Sequence, residues 1–126
     1  MTTEQGTEPG GAPRPIGPYR PVVRAGELLF VSGQLGTVDG ELADGLAAQV
    51  TAALANLSAV LAGAGANLAQ VVKTTVFLVD MADFEAMNEA YLVGFGDHRP
   101  ARSAVAVAAL PRGARVEIEA VAHLGR

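Results

Sequence analysis

Apolar residues recur along this chain with two periods, and the changes of period mark its elements. Residues 71–79, Val-Val-Lys-Thr-Thr-Val-Phe-Leu-Val, are largely apolar at odd and even positions alike, the pattern of a central strand covered on both faces. Two shorter strands are predicted over 22–25 and 28–32, joined by Gly26-Glu27; the second is apolar on both faces and ends at Ser32-Gly33-Gln34. Val38-Asp39-Gly40-Glu41 reads as a turn. The period then becomes helical: Leu46, Val50, Ala53, Leu54, Leu57 and Leu61 form one stripe. Asp44 is placed to cap that helix, which runs from Gly45 to Ala62 or Gly63, and Gly63-Ala64-Gly65 ends it. A second helix starts at Asp80 and Asp83 and runs to Phe95, with Phe84, Met87, Tyr91 and Phe95 in its stripe and Glu85 and Glu89 towards solvent. Asn88 lies within that stripe, where its amide must find either a backbone partner or a pocket.

The last third holds two more apolar runs of strand length, separated by Leu110-Pro111-Arg112-Gly113, a combination that turns the chain. Arg102 stands at the entry of the first run, and Glu117 and Glu119 stand inside the second. Alternation puts Val116, Ile118 and Ala120 on one face and the two glutamates on the other. Charged side chains are seldom fully buried unless paired. Either this is a solvated strand face with a structural ion pair, or Arg102 is the carboxylate anchor of a pocket, a task that suits its planar fork. A tight hairpin at 110–113 would place Arg102 opposite Val121; bringing it near Glu117 needs a longer loop, a bulge or different subunits.

Strand, strand, helix, strand, helix, strand, strand gives an α+β domain with two helices packed on one face of a sheet. Two helices shield one face only, yet residues 28–32, 71–79 and 103–109 are apolar or small on both, so the second face is expected to meet another copy of the chain. Residues 1–15, rich in Thr, Glu, Gln, Gly and Pro, are expected to be a flexible tail, and residues 16–126 a single domain.

Composition narrows the chemistry. The chain is 50% hydrophobic but only 5% aromatic, so its core rests on Ala, Val and Leu. A net charge of −4 argues against nucleic acid as a partner. With no cysteine, disulfides, thiol catalysis and thiolate metal sites are excluded. His98 and His123 have no ligand-like spacing and are expected to serve at the surface rather than to bind metal. The N-terminal stretch has no basic start and apolar core of a secretory signal, and no uninterrupted apolar run approaches membrane-spanning length; a cytoplasmic protein without membrane association is expected.

Pro100-Ala101-Arg102-Ser103, the alternating Val run, Leu110-Pro111 and Val116-Glu117-Ile118-Glu119 resemble the defining motif of the RidA (YjgF) family of imine deaminases. Ile16-Gly17-Pro18-Tyr19, Ser32-Gly33-Gln34, residues 72–77 and Asn88 agree with it in order. The resemblance implies a chorismate-mutase-like fold with a mixed sheet, assembled as a homotrimer with pockets between subunits. It implies hydrolysis of 2-enamine and 2-imine acids, such as 2-aminoacrylate and 2-iminopropanoate, to 2-keto acids and ammonia, without cofactor or metal. Arg102 would clamp the carboxylate and Glu117 would hold or deprotonate the attacking water, which the carbonyl of Ala104 would help to place. Tyr19, Ser32, Gly33 and Asn88 would line the pocket, with Glu119 ranked behind Glu117. Other functions expected of such a trimer are small-acid binding without turnover and, less favoured, endoribonuclease or translation-inhibitor activity. The chain departs from the family pattern at Ala104, where a cysteine is common, at Ala106, where a glutamate is frequent, and at Arg99, which replaces an aromatic. The segment from Tyr91 to Arg102 is also shortened, which bears on substrate range.

Overall fold

The computed structural model describes residues 9–125. In chain order these form β1 (Val22–Ala25), β2 (Leu28–Leu35), β3 (Thr37–Val38), β4 (Glu41–Leu42), α1 (Leu46–Gly63), β5 (Val71–Leu78), α2 (Phe84–Phe95), β6 (Ala101–Ala106) and β7 (Val116–His123). Five strands make one mixed sheet in the order β1-β2-β7-β5-β6, and β3 with β4 forms a separate small hairpin. Within the large sheet β5 and β6 run parallel, connected through α2, and the other neighbours are antiparallel. This is the expected α+β architecture of a sheet with two helices.

The Ala- and Leu-rich run of α1 is bounded by backbone devices rather than by charge. Its N-cap is Gly45, with φ 98° and no side-chain capping bond, so the cap expected of Asp44 is not made. The chain enters through a conformation that favours glycine, which leaves Asp44 one position before the cap. At the other end Ala66 N–H donates to Leu61 O at 2.8 Å and Gly65 N–H to Ala62 O at 3.1 Å, the paired bonds of a Schellman motif. α2 is preceded by a 3-10 turn, Met81–Asp83, in which Asp80 accepts from Ala82 N–H at 2.9 Å. Asp39 and Gly40, both at positive φ, turn the β3–β4 hairpin.

The core lies between the helices and one sheet face. Leu57, Leu61, Met87, Val76, Leu78, Val116 and Ile118 are essentially inaccessible. By length and composition α1 could cross a membrane, but half of it is buried inside the fold, as in the core helix of a folded domain. The opposite sheet face is open: Val23, Phe30 and Val105 are each more than two-fifths exposed, with Phe77 and Val121 among them in the strand register.

Two further sequence readings change. β2 does not end at Ser32 but continues to Leu35 through a β-bulge, because Val31 opposes Ala120 while Gln34 opposes Ile118. β6 and β7 do not form a hairpin, for each pairs with β5 from opposite sides. The stretch between them passes the end of β5, where Val107 N–H donates to Leu78 O and Val79 N–H to Arg115 O. Of the tail expected over 1–15, residues 1–8 lie outside the described residues, and the stretch from residue 9 runs along α1 with Ala12 buried. A Cβ on Gly10 would collide with Ala59 O on that helix.

Leu57→Ala is expected to lower unfolding free energy by ~2–5 kcal/mol through loss of buried contacts and the cavity left behind. Val93→Ala on the outside of α2 should stay within ~0.5 kcal/mol of wild type, as read by urea denaturation.

Candidate functional site

The residues singled out in the sequence fall into two groups on opposite sheet faces. Arg102 pairs with Thr74, and Ala104 with Val76, so both share the helix-bearing face. Glu117 pairs with Phe77, and Glu119 with Thr75, on the open face. Within one chain the structure therefore does not bring Arg102 and Glu117 together.

On the helix side, the Arg102 guanidinium lies 4.9 Å from the centre of the Tyr91 ring and 5.6 Å from that of Phe84. Its Nη1 is 3.7 Å from Met87 Sδ. Among the described residues no carboxylate pairs with it, whereas Arg115 is paired with Asp83 at 3.0 Å. A half-buried cation on aromatic faces, with its charge unanswered, is a place for an anion. Tyr91 is held in turn by Thr74: hydroxyl and hydroxyl are 2.7 Å apart, and Thr74 is fully buried. Burial raises the Tyr91 pKa, while the Thr74 bond and the charges of Arg102 and Arg99 oppose that rise. Asn88, on the same helix, has a buried Oδ1 without a hydrogen-bond partner. A buried acceptor left bare is uncommon in folded proteins.

On the other face, Tyr19, Ser32, Gly33, Glu117 and Glu119 line a groove of about 1330 Å³ between the sheet and the segment that precedes β1. The β-bulge shapes this wall. Ser32 and Gly33 together oppose Glu119 alone, and Gln34 turns inward to donate from Nε2 to Ser32 O at 3.1 Å. Gly33 lies directly beneath the Glu117 side chain: a Cβ there would stand 2.7 Å from Cδ and closer still to Oε2. Only a residue without a side chain leaves the carboxylate that place. Ser32 donates its hydroxyl to Arg20 O at 2.7 Å, and its N–H to Pro21 O at 2.9 Å, so it fixes the loop that carries Tyr19. Tyr19 is 46% exposed, its hydroxyl accepting from Ile16 N–H at 3.4 Å. Burial raises the Glu117 pKa, and the neighbouring charge of Glu119 adds to the rise. A carboxylate poised in this way is a stronger base than an exposed one and lies nearer to working pH.

The histidines stand apart from both groups. His98 is half-buried rather than free at the surface, with Nε2 2.7 Å from Val71 O, and His123 Nδ1 accepts from Gly125 N–H at 3.0 Å. Among the described residues no cluster of His, Asp and Glu could hold a metal ion. Phe84, Tyr91 and Thr74 are the contributors that sequence reasoning missed as site residues. The first two read as core stripe, and Thr74 meets Arg102 through the register in which β6 pairs with β5.

Residues 10–124 match the family model described as Endoribonuclease L-PSP. The chain is 47% identical over 117 residues to a mouse protein named 2-iminobutanoate/2-iminopropanoate deaminase, covering 90% of this chain and 87% of the mouse protein. The crystal structure of RidA from an Antarctic Psychrobacter superposes with a TM-score of 0.88 at 38% identity, over 95% of this chain and 99% of that one. That of Escherichia coli TdcF with bound serine gives 0.87 at 37% identity, over 95% and 98%.

Because the folded state raises the Glu117 pKa, folding holds the protonated form more tightly than the unfolded chain does. The cost of ionising Glu117 therefore appears as pH rises from the ordinary glutamate value through the raised one. Glu117→Gln should gain stability relative to wild type across that window and keep the gain above it, as read by urea denaturation at stepped pH. Gly33→Ala should leave stability within ~1 kcal/mol, since the side chain it displaces is flexible, yet shift the Glu117 carboxyl titration seen by NMR.

Proposed function

The chain belongs to the Endoribonuclease L-PSP family, the RidA/YjgF family of the sequence resemblance, and we propose that it is a cofactor-free deaminase of 2-imino and 2-enamino acids. The observation that carries this reading is Arg102, a half-buried guanidinium on two aromatic rings with no carboxylate beside it among the described residues. A small 2-imino acid such as 2-iminopropanoate brings the missing anion. The serine bound to E. coli TdcF is a ligand of similar size with the same carboxylate.

In the proposed reaction the substrate carboxylate takes the fork of Arg102. Glu117 removes a proton from a water, assisted in placement by the carbonyl of Ala104, and the oxygen attacks the imine carbon. That proton passes to the imine nitrogen to give a carbinolamine; Glu117 then carries the hydroxyl proton to the amine, the C–N bond breaks, and ammonia leaves as the keto C=O forms. Orientation and general acid–base help are enough for such a step. Tyr19, Ser32, Gly33 and Asn88 line the pocket. Since Arg102 and Glu117 lie on opposite faces of one sheet, each pocket takes Arg102 from one copy and Glu117 from a neighbour, in a homotrimer whose copies cover the open face around Phe30 and Val105.

Imine generated in situ by an amino-acid oxidase should decay faster with wild type than in buffer. Arg102→Ala should lose ~3 kcal/mol or more in kcat/KM. The kcat/KM profile should rise as Glu117 ionises, with a midpoint above that of an ordinary glutamate. Co-refolding Arg102→Ala with Glu117→Gln should restore activity at about a quarter of the sites, because random assembly rebuilds some intact pockets. Decay no faster than buffer, with 2-oxobutanoate still bound, would leave an acid-binding trimer instead; RNA cleavage that survives repurification would favour the nuclease of the family's description.

A further inference from the structure

Arginine carries a long stem with about 2 kcal/mol of rotamer entropy, and an anchor has to hold one geometry if it is to orient what it binds. Carbonyl or carboxylate partners would do this, but none is present for Arg102 among the described residues, and its sole hydrogen-bond partner there is the weak acceptor Met87 Sδ at Nη1. What restrains the guanidinium is its seat on the rings of Tyr91 and Phe84. Tyr91 gives the closer of these two contacts, and its own position is fixed at the far end by the buried hydroxyl pair with Thr74, 2.7 Å long. Thr74 is also the strand neighbour of Arg102 across β5 and β6, so one pair of residues sets both the root of the arginine and the height of the ring beneath its tip. Nε and Nη2 are left without acceptors among the described residues.

We propose that Tyr91 is a positioning residue for the reaction: its ring, pinned by Thr74, holds Arg102 flat with the Nε–Nη2 edge free, so that the acid is gripped side-on by two parallel hydrogen bonds. This rests on the reading of Arg102 as the carboxylate anchor. Simple core filling explains the arrangement less well, because phenylalanine would fill the same volume without a hydroxyl that must be satisfied when buried. The Tyr91–Thr74 bond adds a fixed distance, which core packing does not require and an anchor does.

The test compares Tyr91→Phe, Tyr91→Leu and Thr74→Val by steady-state kinetics on the in situ imine and by calorimetry with 2-oxobutanoate as a stable acid probe. Tyr91→Leu should raise KM and the probe Kd by ~10-fold or more while kcat changes far less, since a desolvated cation–π seat is lost. Tyr91→Phe and Thr74→Val keep the ring and should show smaller shifts in the same direction. In wild type the Arg102 Nε–H proton should resonate upfield from ring current, and Tyr91→Phe should retain that shift. A folded Tyr91→Leu protein that binds the probe as tightly as wild type would overturn the proposal, as would an Arg102 Nε–H signal at the position of a free arginine. A lower kcat with unchanged KM would also overturn it, as the mark of a merely structural role. Wild type that binds the probe without turning over imine would count against the deaminase reading alone, and the ranking of the variants by probe affinity would still decide this one.

Discussion

A positive charge kept partly out of water, and given no negative charge to meet among the described residues, is the constraint around which this molecule is arranged. Arg102 could have been solvated at the edge of the sheet or paired with a carboxylate in the manner of Arg115 and Asp83. Instead it rests on Tyr91 and Phe84, with a thioether at one nitrogen. Aromatic faces partly compensate a cation without quenching it, because the ring quadrupole attracts charge but does not neutralise it. The guanidinium thus keeps most of its appetite for an anion.

The other half of the chemistry depends on an irregularity. A regular β2 would run past β7 with no extra residue; the bulge inserts one, bends the strand, and brings a glycine under Glu117. The glutamate then stands low against the sheet, with Glu119 two positions on, and both effects make its proton harder to remove. One sheet therefore carries Arg102 on its covered side and Glu117 on its open side. On the proposed reading, chemistry that needs both is completed by a second copy of the molecule.

Much of this could be read from the residues. The helical stripe of α1, the interior place of β5 and the separation of Glu117 from the buried Val116 and Ile118 follow from periodicity, which is local. The elements that escaped are those decided by a distant partner. Ser32-Gly33-Gln34 looks like a strand end because a bulge is defined only by counting against the opposite strand. Leu110-Pro111-Arg112-Gly113 looks like a hairpin turn because nothing in it records that β5 will come between β6 and β7. Asp44 is a good cap by composition, but the backbone bends at Gly45 and leaves it behind. Tyr91 was legible as buried and not as functional, since a ring beneath a guanidinium has the same helical spacing as a ring in a core. For the placement of Arg102 and Glu117 on opposite faces, the strand order was the missing information.

The stretch before β1 has a consequence for the breadth of ligands this fold could come to accept. Residues 11 and 13–16 supply part of the wall of the groove that contains Glu117, and that wall is tethered where Gly10 meets the α1 backbone at Ala59. Any side chain at position 10 would push the tether away from the helix. The bore of the cleft is in this sense governed from a site with no chemistry of its own, so a lineage could widen or narrow its diet by changing a residue that never touches what is eaten.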